Sequence, residues 1–267
     1  MSTRTRLVSC ICLGCVTCLF SSCSREHLRT LQSPIQAVGT LLENADGTVE
    51  AQLVLINTEK PKHAFLTNAE NVQLRVPSGQ MVSLEQVEPG HYRSDSSQNP
   101  ALVYEQGKTY QFRFGLPPSE SRRNHREAGG AQEAEPTYVA VVKTPTNKVR
   151  FSWAKRPEFA GDTAQLRWTP RSLNAIVVVR DPEGRTCFST FDFSDPQFGG
   201  DKWARLGANG QLALGVDVFS RPGQYQVLKY AVSRTSGLSP GLSADLGVLS
   251  GFLAGTGTAI ETLDIPE

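Results

Sequence analysis

Apolar and polar residues alternate with a period of two through much of this 267-residue chain. From Val49 to Asn57, the side chains of Val49, Ala51, Leu53 and Leu55 share one side, and from Asn71 to Val76 those of Val72, Leu74 and Val76 do the same. Thr109 to Phe114 sets Tyr110, Phe112 and Phe114 together, and Tyr138 to Lys143 is a further strand-like stretch. Successive side chains of a strand point to opposite faces, so each segment predicts a strand with one buried face. Pro, Gly, Asn and Asp fill the gaps between them, and short strands at this rhythm predict an all-β sandwich architecture. No segment beyond residue 23 sustains a helical repeat, so helices are expected to be few and short.

Two pairs of related turns organise the strands. Leu74-Arg75-Val76-Pro77-Ser78-Gly79 and Val178-Val179-Arg180-Asp181-Pro182-Glu183-Gly184 each run strand into Pro-x-Gly. Proline presets the first turn dihedral and glycine supplies the unusual one, so each trio predicts a tight reversal. Pro89-Gly90-His91-Tyr92 and Pro222-Gly223-Gln224-Tyr225 share the pattern Pro-Gly-x-Tyr, each ahead of a strand-like stretch. This pattern resembles the turn of immunoglobulin-like β-sandwiches, where the tyrosine packs inward as in the tyrosine corner. The resemblance implies two tandem immunoglobulin-like β-sandwich domains, residues 34–145 and 146–267, divided near Thr144-Pro145-Thr146-Asn147. Residues 117–136 carry charge, Gly and Ala with almost no apolar side chain, and are expected to form a mobile surface loop. Leu246 to Ile260 is apolar and glycine-rich but too short and interrupted to span a bilayer. It reads as a last buried strand or a packed turn-and-strand, with Gly251 and Gly255 allowing backbones to approach closely.

The amino end has a different character. Arg4 and Arg6 precede a mostly apolar run from Leu7 to Phe20, and small residues lead into a cysteine as Leu19-Phe20-Ser21-Ser22-Cys23. A basic start, a short apolar run and small residues before a cut describe an export signal. Cys12, Cys15 and Cys18 keep the two-residue gaps of an iron–sulfur run, but position 22, where the next ligand belongs, is Ser22. The segment resembles the signal of bacterial lipoproteins, with Phe20 where that family prefers Leu. The resemblance implies a signal peptide at 1–22, lipidation of Cys23, and a polar tether at 23–33 between lipid and fold. Ser24 in place of Asp implies the outer membrane. Acyl chains on one residue would anchor the protein without a transmembrane helix, since stable anchoring needs more than one hydrophobic signal.

Charge narrows the partners. The chain has 27 basic and 26 acidic residues; a cut after residue 22 removes Arg4 and Arg6 and leaves 25 against 26. That balance argues against nucleic acid, which wants a clustered basic surface. The cut leaves Cys187 as the single cysteine besides Cys23, and Arg-Thr-Cys-Phe-Ser-Thr-Phe reads as placing it inward on a strand.

Catalytic and metal motifs do not hold up. Gly237-Leu238-Ser239-Pro240-Gly241 matches the hydrolase elbow, yet the residue after the serine must donate an N–H and Pro240 has none. His27, His63, His91 and His125 lack ligand spacing, and the aspartates of the 192–201 stretch lack the EF-hand register. No cofactor or metal is expected. In that same stretch, Phe198 and Trp203 stand beside Asp195 and Asp201, a combination suited to a sugar ring or a protein partner. The expected function is a lipid-anchored, non-enzymatic cell-envelope protein that binds or scaffolds through sandwich loops. Its expected partners are the membrane, through the anchor, and an envelope protein or glycan. Two alternatives stand: a carbohydrate-binding or accessory module of a surface polysaccharide system, and an envelope enzyme of unrecognised type.

Overall fold

The computed structural model describes residues 35–57, 69–115, 137–146, 149–190, 209–234, 237–238 and 251–266, and these form strands and turns without a helix. The first half contributes β1 (Ile35–Glu43), β2 (Val49–Asn57), β3 (Glu70–Arg75), β4 (Met81–Ser83), β5 (Glu85–Glu88), β6 (His91–Asp95), β7 (Thr109–Gly115) and β8 (Thr137–Lys143). The second contributes β9 (Arg150–Lys155), β10 (Ala164–Thr169), β11 (Asn174–Arg180), β12 (Thr186–Ser189), β13 (Gln211–Leu214), β14 (Gly223–Arg234), β15 (Gly237–Leu238), β16 (Gly251–Gly257) and β17 (Glu261–Ile265). The alternating segments are strands as expected, β2 and β7 with the predicted residues inward.

Among the described residues the strands form three sheets. A nine-stranded sheet runs β12-β11-β14-β16-β1-β2-β6-β5, with β17 also paired to β14. A five-stranded sheet runs β15-β8-β7-β3-β4, and a three-stranded sheet β13-β10-β9. Residues paired across strands share a face, which lets the register locate the cores. Leu41 pairs with Ala254, Ala254 with Ser233, and further along β14 Val227 pairs with Val179. All these residues therefore lie on one face of the broad sheet, and the two smaller sheets cover that face side by side.

The first core joins Leu41, Leu53 and Phe252 of the broad sheet to Leu74, Tyr110, Phe112 and Phe114 of the five-stranded sheet. The second joins Val177, Val179, Tyr225 and Val227 to Leu166, Trp168 and Leu214 of the three-stranded sheet. Two sheets buried against a third in this way define a β-sandwich protein. The strand expected near the chain end is β16, buried at the middle of the broad sheet, where it runs parallel to β1. Although β16 lies well past residue 145, its Phe252 and Ala254 complete the first core. A third apolar cluster, Val38, Val54, Ile176, Val232 and Leu253, occupies the opposite face of the broad sheet.

The turns close as their sequences require. Gly79 N donates to Val76 O at 2.9 Å and Val76 N to Gln80 O at 3.0 Å. Gly184 N donates to Asp181 O at 2.9 Å and Asp181 N to Arg185 O at 2.8 Å, the same pattern. Both glycines hold positive φ, 89° and 78°, which costs a residue with a Cβ. Tyr92 and Tyr225 are buried. The Tyr225 hydroxyl donates to Arg221 O at 3.0 Å and accepts from Arg221 N at 3.2 Å, a tyrosine corner. The Tyr92 hydroxyl bonds the backbone of Ala69 in the same two-way manner. Tyr110, which had no such role in the sequence reading, does likewise with Val103 O and Glu105 N, both at 2.7 Å.

Cys187 departs from expectation: it is exposed, not buried. The pairing of β11 with β12 slips where Val179 faces Phe188 and Arg180 faces Thr186. Cys187 is the extra residue of that bulge, and a bulge interrupts the alternation that would have turned it inward.

Candidate functional site

The lipidation residue Cys23 and the loop residues Phe198, Trp203, Asp195 and Asp201 lie outside the described residues, as do the segments 1–34 and 117–136. A concavity among the described residues lies elsewhere, where the two sandwich halves meet. It is an open cleft of about 250 Å³, lined by Lys143, Thr144, Pro145, Thr146, Pro170, Ser172, Leu173, Ser233 and Arg234.

Three strand ends build it. β8 ends at Lys143, and Thr144 beyond it is buried. Its Oγ1 donates to Glu105 O at 2.6 Å and accepts from Lys108 N at 3.0 Å. Pro145 O accepts from Gly107 N at 3.1 Å, so this wall is tied to the loop ahead of β7. The opposite wall is the turn after β10. There Leu173 N donates to Pro170 O at 3.4 Å, and Leu173 O accepts from the indole of the buried Trp168 at 2.8 Å. The third element is the end of β14, whose Ser233 hydroxyl donates to Lys143 O and so bridges the broad sheet to β8. Proline at two lining positions and backbone bonds on each wall hold the shape in place before any ligand arrives.

Lys143 and Arg234, both exposed, line it together with the exposed Thr146 and Ser172, and none of the described lining residues is acidic. The hydroxyls of Thr144 and Ser233 are occupied by the frame itself. Sequence reasoning singled out Thr144-Pro145-Thr146 as a boundary and missed the site. Its residues come from three separate stretches, and no local motif announces that a strand end, a turn and a distant strand converge.

A second polar group crosses β2 and β6 on the outer face of the broad sheet. Arg93 Nη2 donates to Glu50 Oε2 at 3.1 Å, Gln52 Nε2 donates to Glu50 Oε1, and His91 Nε2 stands 3.3 Å from Gln52 Oε1. Burial pushes the Glu50 carboxyl up, against the pull of the Arg93 charge, and pushes the His91 imidazole down. Each member is occupied by a cross-strand neighbour, which makes the row a support of the sheet. Among the described residues no three of His, Cys, Asp or Glu gather as a metal site.

No protein-family model matches this chain, and no curated protein matches it. Among solved structures it is similar to the crystal structure of the FN1–FN3 domains of chicken CNTN1. The identity is 11%, the match covers 88% of this chain and 69% of that one, and the TM-score is 0.25, too slight a likeness to carry fold or function across. The class rests on the sheets and cores themselves: this is an all-β protein of the β-sandwich class.

Proposed function

We propose that the chain is a lipid-anchored, non-enzymatic protein of the cell envelope that works by binding or scaffolding. The observation that carries this reading is Leu19-Phe20-Ser21-Ser22-Cys23 behind a short basic start and an apolar run. Cleavage there would leave Cys23 as the acylated first residue, with the segment to residue 33 as a tether and Ser24 directing the protein to the outer membrane. Several acyl chains on one residue give stable anchoring with no spanning helix.

The sandwich supports the binding part of the reading. Two cores, paired Pro-x-Gly reversals and tyrosine corners fit two tandem immunoglobulin-like units, 34–145 and 146–267, the second lending β16 to the first. Such frames present loops at their ends, and an envelope protein or a glycan is the partner these loops would meet. Fold by itself does not set the ligand.

The anchor is tested by metabolic fatty-acid labelling of the wild type and Cys23→Ala, followed by membrane fractionation. Label and membrane retention are expected in the wild type and lost in the variant. A wild type that stays unlabelled and soluble would sink the reading. Phe198 and Trp203 suit a sugar ring or a protein partner, and a carbohydrate-binding or accessory role is the alternative reading. Glycan arrays with Phe198→Ala and Trp203→Ala test this, and binding that is absent or unchanged by the variants discards it.

A further inference from the structure

We propose that the end of the second sandwich half carrying Phe159 and Val216 docks a protein whose apolar pocket is rimmed by basic side chains. The inference gives the binding reading above a partner class, and its placement away from the membrane rests on the anchor at Cys23. Three loops meet at this end: 156–163 between β9 and β10, 181–185 between β11 and β12, and 215–222 ahead of β14. Gly161 N donates to Phe219 O at 2.7 Å, and Cys187 Sγ to Val218 O at 3.4 Å. Arg221 Nη2 donates to Asp181 Oδ2 at 3.0 Å and to Glu183 Oε2 at 2.8 Å. Each loop is therefore fastened to a neighbour before a partner arrives, which lowers the ordering cost of binding.

These fastened loops nevertheless hold two large apolar side chains in solvent, Phe159 at 54% exposure and Val216 at 57%. The Asp162 carboxylate accepts from Glu158 N at 3.0 Å and Phe159 N at 3.1 Å, which pins the backbone beneath the exposed ring. Val218 N donates to Gly215 O at 3.3 Å, in a turn that buries Val218 and Phe219 and leaves Val216 outside. An aromatic anchor on a preformed surface is what a partner's pocket takes up. Charge then selects the pocket's rim. Asp181 and Glu183 are matched by Arg185 and Arg221, Arg156 stands 4.0 Å from Glu261, and Lys155 donates to the Thr163 hydroxyl. Among the described residues, Glu158, Asp162 and Asp217 form no salt bridge. The surround of the apolar pair is acidic, so the complementary partner surface is basic, and an anionic bilayer is repelled.

Register places this end along the molecule. Leu253 of β16 pairs with Arg234 of β14 and with Thr40 of β1. From that row β14 runs back to Gly223 while β1 runs the opposite way back to Ile35, so the tip and the start of β1 lie at opposite ends of the shared sheet. At about 3.3 Å per strand residue, they are on the order of 50 Å apart. A chain anchored at Cys23 presents Phe159 and Val216 at the end far from its lipid.

The test places a photoreactive benzophenone amino acid at position 159, 216 or 87 of the full chain in cells and identifies the adducts formed on irradiation. Val87, 52% exposed on β5, is the control. One protein adduct common to 159 and 216 and absent at 87 is expected. Combining Glu158→Lys with Asp217→Lys should lower its yield about tenfold or more, and raised salt in lysed cells should lower it too. Both carboxylates are exposed and outside any salt bridge, so the double variant is expected to keep the wild-type circular dichroism and melting temperature. Adducts to lipid or to a second copy of the chain, or none at 159 and 216, overturn the proposal. So do the same adduct at 87 and a yield that the charge reversals leave unchanged. Fatty-acid labelling reads the anchor separately: an unlabelled protein that still forms the adduct loses the anchor alone, and a labelled one without it loses this proposal alone.

Discussion

A Cβ built on Gly255 would lie 2.4 Å from Ala231 O and 2.5 Å from Val232 Cγ1, and one on Gly39 would lie 2.4 Å from Phe252 Cδ1. Backbone of a central strand cannot step aside, so Gly255→Ala is expected to lower stability by about 1–3 kcal/mol in urea melts. Tyr225→Phe removes a hydroxyl that serves both the backbone N–H and the backbone carbonyl of Arg221 and should cost about 1–3 kcal/mol. Glu261 makes a prediction about acid. Burial raises its carboxyl, but hydrogen bonds from Lys229 and Trp153 and the charges of Lys229 and Arg156 outweigh that and hold it below its ordinary 4.5. The folded chain then binds this proton less readily than the unfolded chain. The carboxylate stabilises the fold above pH 4.5, and that contribution fades as pH falls through the lower folded-state value. In stability measured against pH, Glu261→Gln should lose less than the wild type on acidification, and parallel curves would contradict this. At neutral pH the same variant leaves the buried Lys229 without its carboxylate, so it should be the less stable protein, whereas Lys229→Met removes the buried charge and should cost less.

The two Pro-x-Gly hairpins show how far local chemistry reaches at the scale of an element. A Cβ on Gly184 would meet nothing within 4 Å, and one on Gly79 only the Arg75 guanidinium at 3.9 Å. Alanine at either position is therefore opposed by backbone conformation alone, an expected loss of about 1–2 kcal/mol each, checked by chemical denaturation. Larger or smaller costs at one site than the other would show that the turns are not equivalent. These hairpins, and strands β2, β3, β7 and β8, were legible because turn residues and period-two alternation act over a few residues. The bulge at Cys187 was not legible, since the slip is set by how β12 meets β11. Tyr110 was hidden as one more inward aromatic, because its hydroxyl contacts arise only once the loop ahead of β7 folds back.

At the scale of the whole molecule, both cores press on one face of a shared sheet, and β14 and β16 run through its middle. Unfolding either half exposes the strand backbone of the other, so urea unfolding should be a single transition. Tryptophan fluorescence, with Trp153 and Trp168 in the second half, and far-ultraviolet circular dichroism, which sees both, should give one midpoint. Two separated midpoints would show that the shared sheet does not couple the halves.

From the sequence by itself came the all-β class, the inward faces of the strands and the reversals. Each rests on interactions between residues near one another along the chain. Only the tertiary structure decided that the strand at 251–257 sits beside β1, that both cores share a face, and that Lys143 and Arg234 border one cleft. Those facts depend on pairing between distant strands, where many partners are equally apolar and the choice is made by how entire sheets close over their cores.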